Sequence, residues 1–167
     1  MSGPSGVGKS TVVREVLECF HGNLRLSISA TTRPPRPGEQ DGVHYHFLSA
    51  ENFSDRRKTE DFVEAVEVFG RGHWYGTLWS EVRPFLTEGI WVLLEIDVDG
   101  AENVLQQFAE PISIFIRPAS FAELERRLRS RATETEASIH RRLSVASHEL
   151  DLADRYEYQV VNDTVAR

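Results

Sequence analysis

Cysteine is almost absent from this chain, and so is any long apolar run. The single cysteine, Cys19, excludes an intramolecular disulfide and favours a reducing compartment, and its place in a predicted helix indicates a buried side chain. The longest apolar run covers residues 90–94, whereas a membrane-spanning helix needs roughly 18 or more apolar residues. No signal-peptide pattern opens the sequence. We therefore expect a cytoplasmic protein with no membrane partner.

Positive charge is scarce as well. The 167 residues include 19 Lys and Arg against 26 Asp and Glu, a formal net charge of −7. Nucleic-acid-binding domains are typically basic, so this balance argues against nucleic acid as a partner. The arginines cluster at Arg33 and Arg36 and again between residues 126 and 142, which indicates small phosphate ligands. The length suits one compact domain, which we expect to be a monomer.

Helical and strand-like segments alternate along most of the chain. Apolar spacing predicts helices at 9–20, 78–88 and 101–108, and capping boxes at Ser120 with Glu123 and at Thr133 with Glu136 predict two more. Strands are predicted at 24–29, 43–47, 62–69, 90–96, 112–116 and 158–161. This order predicts an α/β fold, a parallel sheet with helices on both faces. The two strands within 43–69 interrupt the alternation and predict a small subdomain.

The pattern G-x-x-x-x-G-K-[ST] stands near the start of the chain, at Gly3-Pro4-Ser5-Gly6-Val7-Gly8-Lys9-Ser10, followed by Thr11. Its glycines let backbone amides turn toward phosphate oxygens, and the helix that follows presents its positive dipole end to them. Lys9 would reach the β- and γ-phosphates, and Ser10 would give its hydroxyl to Mg²⁺. The motif therefore predicts a P-loop for a nucleoside triphosphate, with Mg²⁺ as the cofactor.

A proline-rich loop at 31–42 carries Arg33 and Arg36. Its prolines favour a polyproline backbone with about three residues per turn, so both guanidinium groups project from one face. The fork of an arginine matches the oxygens of a phosphate monoester. The loop is thus a candidate phosphate clamp, with a solvated loop that binds a partner domain as the alternative.

Three acidic residues are candidate ligands. Glu64 shares a predicted strand face with Phe62 and Val66, where a carboxylate is costly unless a group donates to it. The N1–H and exocyclic amine of guanine are adjacent donors that match two carboxylate oxygens, although a surface position at a strand edge fits equally well. Glu95 and Asp97 end the run at 90–96, where ligands bind in open α/β sheets. They are candidates for a place near Mg²⁺, through water, or near an acceptor nucleotide.

Arginines recur on two consecutive predicted helices. Arg127 and Arg131 are four residues apart, on one helical face, and Arg142 lies on the next helix. This spacing predicts a hinged lid that neutralises charge as a γ-phosphoryl moves and that excludes water as it closes. A solvated basic helix is the alternative.

Several motifs, in this order, resemble those of the guanylate kinases: Ser2-Gly3-Pro4-Ser5-Gly6, the segment 31–39, Asp41-Gly42-Val43-His44-Tyr45, Tyr75-Gly76-Thr77 and Leu94-Glu95-Ile96-Asp97. Residues 123–143 and Val160-Val161-Asn162-Asp163 match the family's lid and final strand. The resemblance implies transfer of the γ-phosphoryl of ATP to GMP. It also implies a P-loop core at 1–32, 77–129 and 143–167, a GMP-binding subdomain at 33–76 and a helical lid at 130–142.

The resemblance further implies roles for single residues. The GMP phosphate would contact Arg33, Arg36, Tyr45 and Tyr75, and the guanine pocket would comprise Ser29, Glu64, Thr77 and Asp97. The transferred phosphoryl would be served by Arg127, Arg131 and Arg142, and Asn162 would lie near the ATP base.

The chain also departs from the family's pattern. We expect the apolar strand that usually precedes the P-loop and the helix that usually follows Asn162-Asp163 to be missing, and the loop at 70–75 to be longer than usual. Two alternatives to a guanylate kinase stay open: a kinase of the same fold acting on a phosphorylated sugar, and a catalytically silent module that binds proteins.

Overall fold

The computed structural model describes residues 1–20, 22–67, 72–130 and 135–163. The helices are α1 (Lys9–Cys19), α2 (Ala50–Lys58), α3 (Arg83–Thr87), α4 (Val98–Gln107), α5 (Phe121–Arg129) and α6 (Glu136–Asp151), with short 3₁₀ turns at Trp79–Glu81 and Ala153–Arg155. The strands are β1 (Leu24–Leu26), β2 (Ala30–Thr31), β3 (His46–Phe47), β4 (Phe62–Glu67), β5 (Trp74–Leu78), β6 (Trp91–Leu93), β7 (Ile114–Pro118) and β8 (Tyr158–Asn162). Within the described residues, no helix combines the length and apolar character needed to cross a membrane.

Parallel pairs of strands build the main sheet. β1 pairs with β6, and β7 pairs with β8. Residues 1–2 lie between the two pairs, because the Met1 nitrogen donates to the Leu94 carbonyl at 2.8 Å and Ser2 forms a parallel bridge with Phe115. The order across the sheet is therefore β1, β6, residues 1–2, β7 and β8. The P-loop segment begins at the middle of this sheet.

A second sheet is formed by the strands between residues 30 and 78. Its four strands run in the order β3, β2, β5, β4, with β5 antiparallel to both of its neighbours. Phe53 of α2 is 1 % exposed and packs with Ala30 and Leu78 beneath this sheet. The sheet spans residues 30–78, so it contains the segment in which the sequence predicts a subdomain.

Helix prediction succeeds where caps and apolar spacing agree. Ser120 accepts a hydrogen bond from the Glu123 amide at 3.1 Å, as its capping pattern predicts, and α5 follows directly. The buried residues Leu124 and Leu128 of α5 pack with Val7 and Ile116 beneath the P-loop segment. The cap of α6 is Thr135, which accepts from the Ser138 amide at 3.3 Å. Thr133, the predicted cap, lies outside the described residues.

Three local predictions are wrong. The strand predicted at 43–47 is confined to β3, because Gly42 adopts a φ of 71° and the segment before β3 is a turn in which Val43 donates to the Gln40 carbonyl. The helix predicted at 78–88 is interrupted, since Leu78 ends β5 and Pro84 lacks the amide that a continuous helix requires. Cys19 is exposed because it ends α1, in which only Val13 is buried.

Candidate active site

A cavity of about 400 Å³ lies between the P-loop segment and the second sheet. This volume falls in the range of small-molecule sites, roughly 300 to 1,000 Å³. Fifteen of the residues singled out by the sequence line it: Ser5, Gly6, Gly8, Lys9, Ser10, Thr11, Ser29, Arg33, Arg36, Tyr45, Glu64, Tyr75, Glu95, Asp97 and Arg142. Residues far apart in the sequence are thus brought to one cleft. Arg131 lies outside the described residues.

The P-loop segment has the backbone that its glycines predict. Gly6 and Gly8 adopt φ angles of 91° and 98°, which side chains rarely tolerate. A Cβ at Gly8 would lie 2.6 Å from the amide nitrogen of Asn162, and one at Gly6 would lie 2.6 Å from a methyl of Leu128. Val7, between them, is fully buried and anchors the turn in the core. Only glycine therefore fits these two positions without strain.

Lys9 is turned inward beneath the loop. Its Nζ donates to the Gly3 carbonyl at 2.6 Å. Burial lowers the pKa of Lys9, and the nearby carboxylates of Glu149, Glu95 and Asp97 oppose that shift. A phosphate bound in the cavity would oppose it further, because an adjacent anion favours the ammonium form.

Oxygen atoms that suit a hard cation lie next to Lys9. The Ser10 hydroxyl donates to Glu95 Oε1 at 2.8 Å, and Asp97 lines the same cavity while it caps α4 by accepting from the Gly100 amide at 2.8 Å. Among the described residues no cluster of three acidic, His or Cys side chains forms a metal site by itself. Mg²⁺ is commonly held by one or two protein oxygens together with substrate phosphates, and this donor set fits that mode.

The predicted arginine clamp is assembled by a residue that the sequence reasoning missed. Glu39 accepts from Arg33 Nη2 at 2.9 Å with one oxygen and from the Arg36 amide at 2.7 Å with the other. Arg33 also donates from Nε to the Tyr75 hydroxyl at 3.1 Å and stacks over the Tyr45 ring, 5.5 Å from its centroid. The side chains of Arg33, Tyr45 and Tyr75 are therefore already in contact with one another, and Glu39 ties the backbone of Arg36 to them.

Glu64 lines the cavity from strand β4 of the second sheet. A register shift between Phe62 and Glu64 places Glu64 opposite Thr77, whose hydroxyl donates to Glu64 Oε1 at 2.8 Å. Phe62 instead packs against the Phe53 ring, with centroids 4.4 Å apart, so the predicted shared face of Phe62 and Glu64 is wrong. The bulge explains the difference.

Burial raises the pKa of Glu64 to about 7, with the Thr77 hydroxyl opposing this shift and Asp97 adding to it. Burial likewise raises the pKa of Asp97. The two carboxyl groups approach each other near Gly100, where an added Cβ would lie 2.8 Å from Glu64 Oε2 and 3.2 Å from Asp97 Oδ1. This end of the cavity offers acceptors to a ligand that carries several N–H donors.

Arg127 and Asn162 lie behind the P-loop segment, outside the cavity lining. Arg127 donates to the carbonyls of Val7, at 3.0 Å, and of Asn162, at 3.1 Å, and to Glu123 Oε1 at 2.7 Å. The side-chain amide of Asn162 donates to the same Val7 carbonyl at 2.8 Å. Both residues brace the loop in this structure. Arg142, in contrast, faces the cavity and donates from Nη2 to the Ser5 hydroxyl at 2.7 Å.

The predicted residues and the residues that line the cavity are not the same set. Four predicted residues do not line it but support residues that do: Gly3, Pro4, Val7 and Thr77. Arg141 and Glu149 of α6 line it and were not predicted. The signal for Glu149 is its spacing, since seven residues, about two helical turns, separate it from Arg142 on the same helix.

Comparison with known proteins decides the family. The guanylate kinase family model matches residues 1–167. The chain belongs to the guanylate kinase family. It is 52 % identical over 166 residues to the guanylate kinase of Rhodopirellula baltica, covering 99 % of this chain and 79 % of that protein. It is also 52 % identical over 167 residues to the guanylate kinase of Gloeobacter violaceus, covering 99 % and 80 %.

A solved structure agrees with the sequence comparison. The crystal structure of guanylate kinase from Anaplasma phagocytophilum superposes with a TM-score of 0.76 at 32 % identity, covering 98 % of this chain and 74 % of that one. The predicted α/β class and the resemblance to guanylate kinases are confirmed by these matches. The catalytic and binding roles of single residues stay predictions.

Proposed function

We propose that this chain is an ATP:GMP phosphotransferase, which transfers the γ-phosphoryl of ATP to GMP to give ADP and GDP. The observation that supports it most directly is that one cavity is lined by the P-loop with Lys9, by Arg33 and Arg36, and by the buried carboxyls of Glu64 and Asp97. These three groups match a triphosphate, an acceptor phosphate and a base with N–H donors. The guanylate kinases at 52 % identity support the same reaction.

The transfer needs no nucleophile from the protein. The GMP phosphate is largely dianionic at neutral pH, because its second pKa is about 6, and its oxygen attacks the γ-phosphorus directly. The new bond forms to that oxygen as the bond to the β-phosphate oxygen breaks. The protein contributes position and charge neutralisation.

The donor side of the reaction is assigned to the P-loop and α6. Backbone amides of the loop at 3–11 would hold the phosphates, and Lys9 and Arg142 would neutralise the charge of the moving phosphoryl. Ser10 would hold Mg²⁺, with Glu95 or Asp97 bound through water, and the ion when bound supplies positive charge to the phosphate oxygens. Arg127 and Asn162 would keep the loop in place, and Arg131 stays a candidate from sequence alone.

The acceptor side is assigned to the second sheet and its loop. Arg33, Arg36, Tyr45 and Tyr75 would bind the GMP phosphate. The base pocket would comprise Ser29, Glu64, Thr77 and Asp97, with the Thr77 hydroxyl orienting Glu64. We further propose that segment 33–76 is the GMP-binding subdomain, that 130–142 is the lid, and that closure of both excludes water.

The acceptor panel tests the reaction. ADP formation from ATP should be fastest with GMP among GMP, AMP, CMP and UMP, and equal or better turnover with AMP contradicts the guanine assignment. Lys9→Ala should lower GMP-dependent turnover at least about 100-fold, because it removes a positive charge that is proposed to neutralise the moving phosphoryl. Lys58→Ala is the matched control, since Lys58 is exposed on α2 and pairs only with Asp55 among the described residues.

The same measurements separate the two alternatives. A silent protein-binding module would show no ATP binding by calorimetry, whereas the complete P-loop motif favours binding. A sugar-phosphate kinase would turn over a phosphorylated sugar in preference to GMP. Such a substrate offers no paired N–H donors to Glu64, so we do not favour it.

A further inference from the structure

Glu149 is a buried carboxylate beside the P-loop to which the proposed chemistry gives no role. Its side chain is 3 % exposed and lines the same cavity as Ser5 and Lys9. Within the described part of the chain, its Oε2 has no hydrogen-bond partner. A carboxylate buried with an unused oxygen costs stability. Departures of this kind concentrate at functional sites, which makes Glu149 a candidate.

The contacts of Glu149 tie α6 to the first turn of the P-loop. The Ser5 backbone amide opposes the rise in the pKa of Glu149 and so favours its ionised form. Arg142, two turns earlier on the same helix, donates to the Ser5 hydroxyl at 2.7 Å. Two residues of α6 therefore act on Ser5: Glu149 on its backbone amide and Arg142 on its hydroxyl.

The charge of Glu149 also acts on Lys9. Burial lowers the pKa of Lys9, and among the carboxylates that oppose the shift Glu149 has the largest effect, ahead of Glu95 and Asp97. Burial in turn raises the pKa of Glu149 to about 7, with Lys9 opposing the rise and Asp97 and Asp99 adding to it. The pair is mutually supporting, because each charge makes the burial of the other less costly.

We propose that Glu149 is a positioning residue, which holds the Ser5 turn and the Lys9 ammonium in the arrangement that receives the triphosphate. It acts through these two groups, and among the described residues no hydrogen bond or ion pair joins it to Glu64 of the base pocket. The proposal rests on the proposed function in naming the nucleotide as ATP. Loss of Glu149 should therefore weaken the binding of the P-loop ligand much more than the binding of GMP, whose proposed pocket meets Glu149 only through the charge of Asp97.

Glu149→Gln is the most informative substitution. It keeps the shape of the side chain and an acceptor near the Ser5 amide, and it removes the negative charge that acts on Lys9. The titrations are run at pH 8, where a carboxyl with a pKa of about 7 is mostly ionised. Calorimetry with ADP and Mg²⁺, and separately with GMP, measures the two halves of the site without turnover. We expect the affinity for ADP to fall at least about ten-fold, as expected when a reactive group is misplaced, and the affinity for GMP to stay within about two-fold.

Stability distinguishes positioning from a structural role. Removal of a buried charge with an unused oxygen should leave the melting temperature of Glu149→Gln equal to or above that of the wild type. Asp151→Asn is the matched control, since it removes an exposed carboxylate from the same helix. It should leave the affinities for ADP and GMP and the melting temperature unchanged.

Other results overturn the proposal. ADP affinity within about two-fold of the wild type would do so, as would a parallel loss of ADP and GMP affinity. If Glu149→Gln does not fold, Glu149→Asp is used instead. It keeps the charge but shortens the side chain by one methylene, and its affinities for ADP and for GMP are compared in the same way. If both variants fail to fold, the role is structural and the proposal is wrong. A wild type that binds ADP but does not phosphorylate GMP would refute only the proposed function.

Discussion

Lowering the pH from 7.0 to 5.5 should weaken the binding of GMP through Glu64. The N–H donors of guanine need an ionised carboxylate, and burial raises the pKa of Glu64 to about 7. The carboxyl is then about half ionised at pH 7.0 and only about 3 % ionised at pH 5.5, since each unit below the pKa lowers the ionised fraction nearly ten-fold. The affinity for GMP should therefore fall about 16-fold over this range, through Glu64 alone.

The assay must separate Glu64 from the phosphate of the ligand. With a second pKa of about 6, that phosphate loses roughly four-fold in its dianionic fraction between pH 7.0 and 5.5. Calorimetric titrations at constant ionic strength give the change in affinity with pH for GMP and for ribose 5-phosphate, which carries the phosphate without the base. The difference between these two pH dependences is the contribution of Glu64.

Thr77→Val provides a second perturbation of the same carboxyl. The Thr77 hydroxyl donates to Glu64 Oε1 at 2.8 Å and opposes the upward pKa shift. Its removal should move the midpoint of the GMP titration to higher pH. The reasoning is refuted if GMP and ribose 5-phosphate lose affinity in parallel as the pH falls, or if Thr77→Val moves the midpoint downward.

Four further predictions follow from named contacts. Gly8→Ala should abolish ATP binding, since the new Cβ would lie 2.6 Å from a side-chain nitrogen at a φ of 98°. Arg127→Lys should lower the free energy of unfolding by about 1 to 3 kcal/mol and raise the KM for ATP, because the backbone contacts that brace the loop are lost. Phe53→Ala should lower the free energy of unfolding by about 3 to 5 kcal/mol in urea titrations. The ligand-free protein should lose up to about 3 kcal/mol of stability for each of Glu64 and Glu149 as the pH rises from 4.5 through 7, because a raised native pKa favours the protonated native state.

Each of these predictions has its own control or contrary outcome. Gly42→Ala also strains a left-handed residue, at a φ of 71°, but nothing lies within 4 Å of its Cβ, so ATP binding should persist. Phe121→Ala removes a ring that is 42 % exposed and should cost much less than Phe53→Ala. An unchanged KM for ATP in Arg127→Lys argues against the brace. Stability that rises between pH 4.5 and 7 contradicts the pKa values of both buried carboxyls.

The sequence predicts helices and loops correctly where the apolar spacing, the capping residue or the glycine that determines them lies within the same short segment. The spacing of Val12, Val13 and Val16 predicts α1, and the Ser120 hydroxyl with the Glu123 amide three residues later predicts the start of α5. The glycines of the P-loop need their left-handed backbone whatever lies beyond them. These features follow from local sterics and hydrogen bonding, so a single sequence suffices to identify them.

The rest of the site depends on contacts between distant segments. Phe62 and Glu64 alternate in the sequence, yet the pairing of β4 with β5 introduces a register shift that only the partner strand determines. Glu39 can be recognised as the organiser of the arginine clamp only once both of its oxygens are seen to hold the loop. Neither fact is encoded in periodicity or spacing.

Opposite responses to pH are the combined consequence of these buried carboxyls. A high pKa at Glu64 means that the free protein prefers the protonated acid, while the guanine ligand requires the carboxylate. The ligand-free protein is therefore stabilised by acid, and the complex with GMP is stabilised by base. Binding of GMP well above pH 7 releases almost no proton from Glu64, whereas well below pH 7 nearly every binding event expels one. The buried position that would make this carboxylate selective for paired N–H donors, as we propose, is also what would make the affinity for GMP depend on pH.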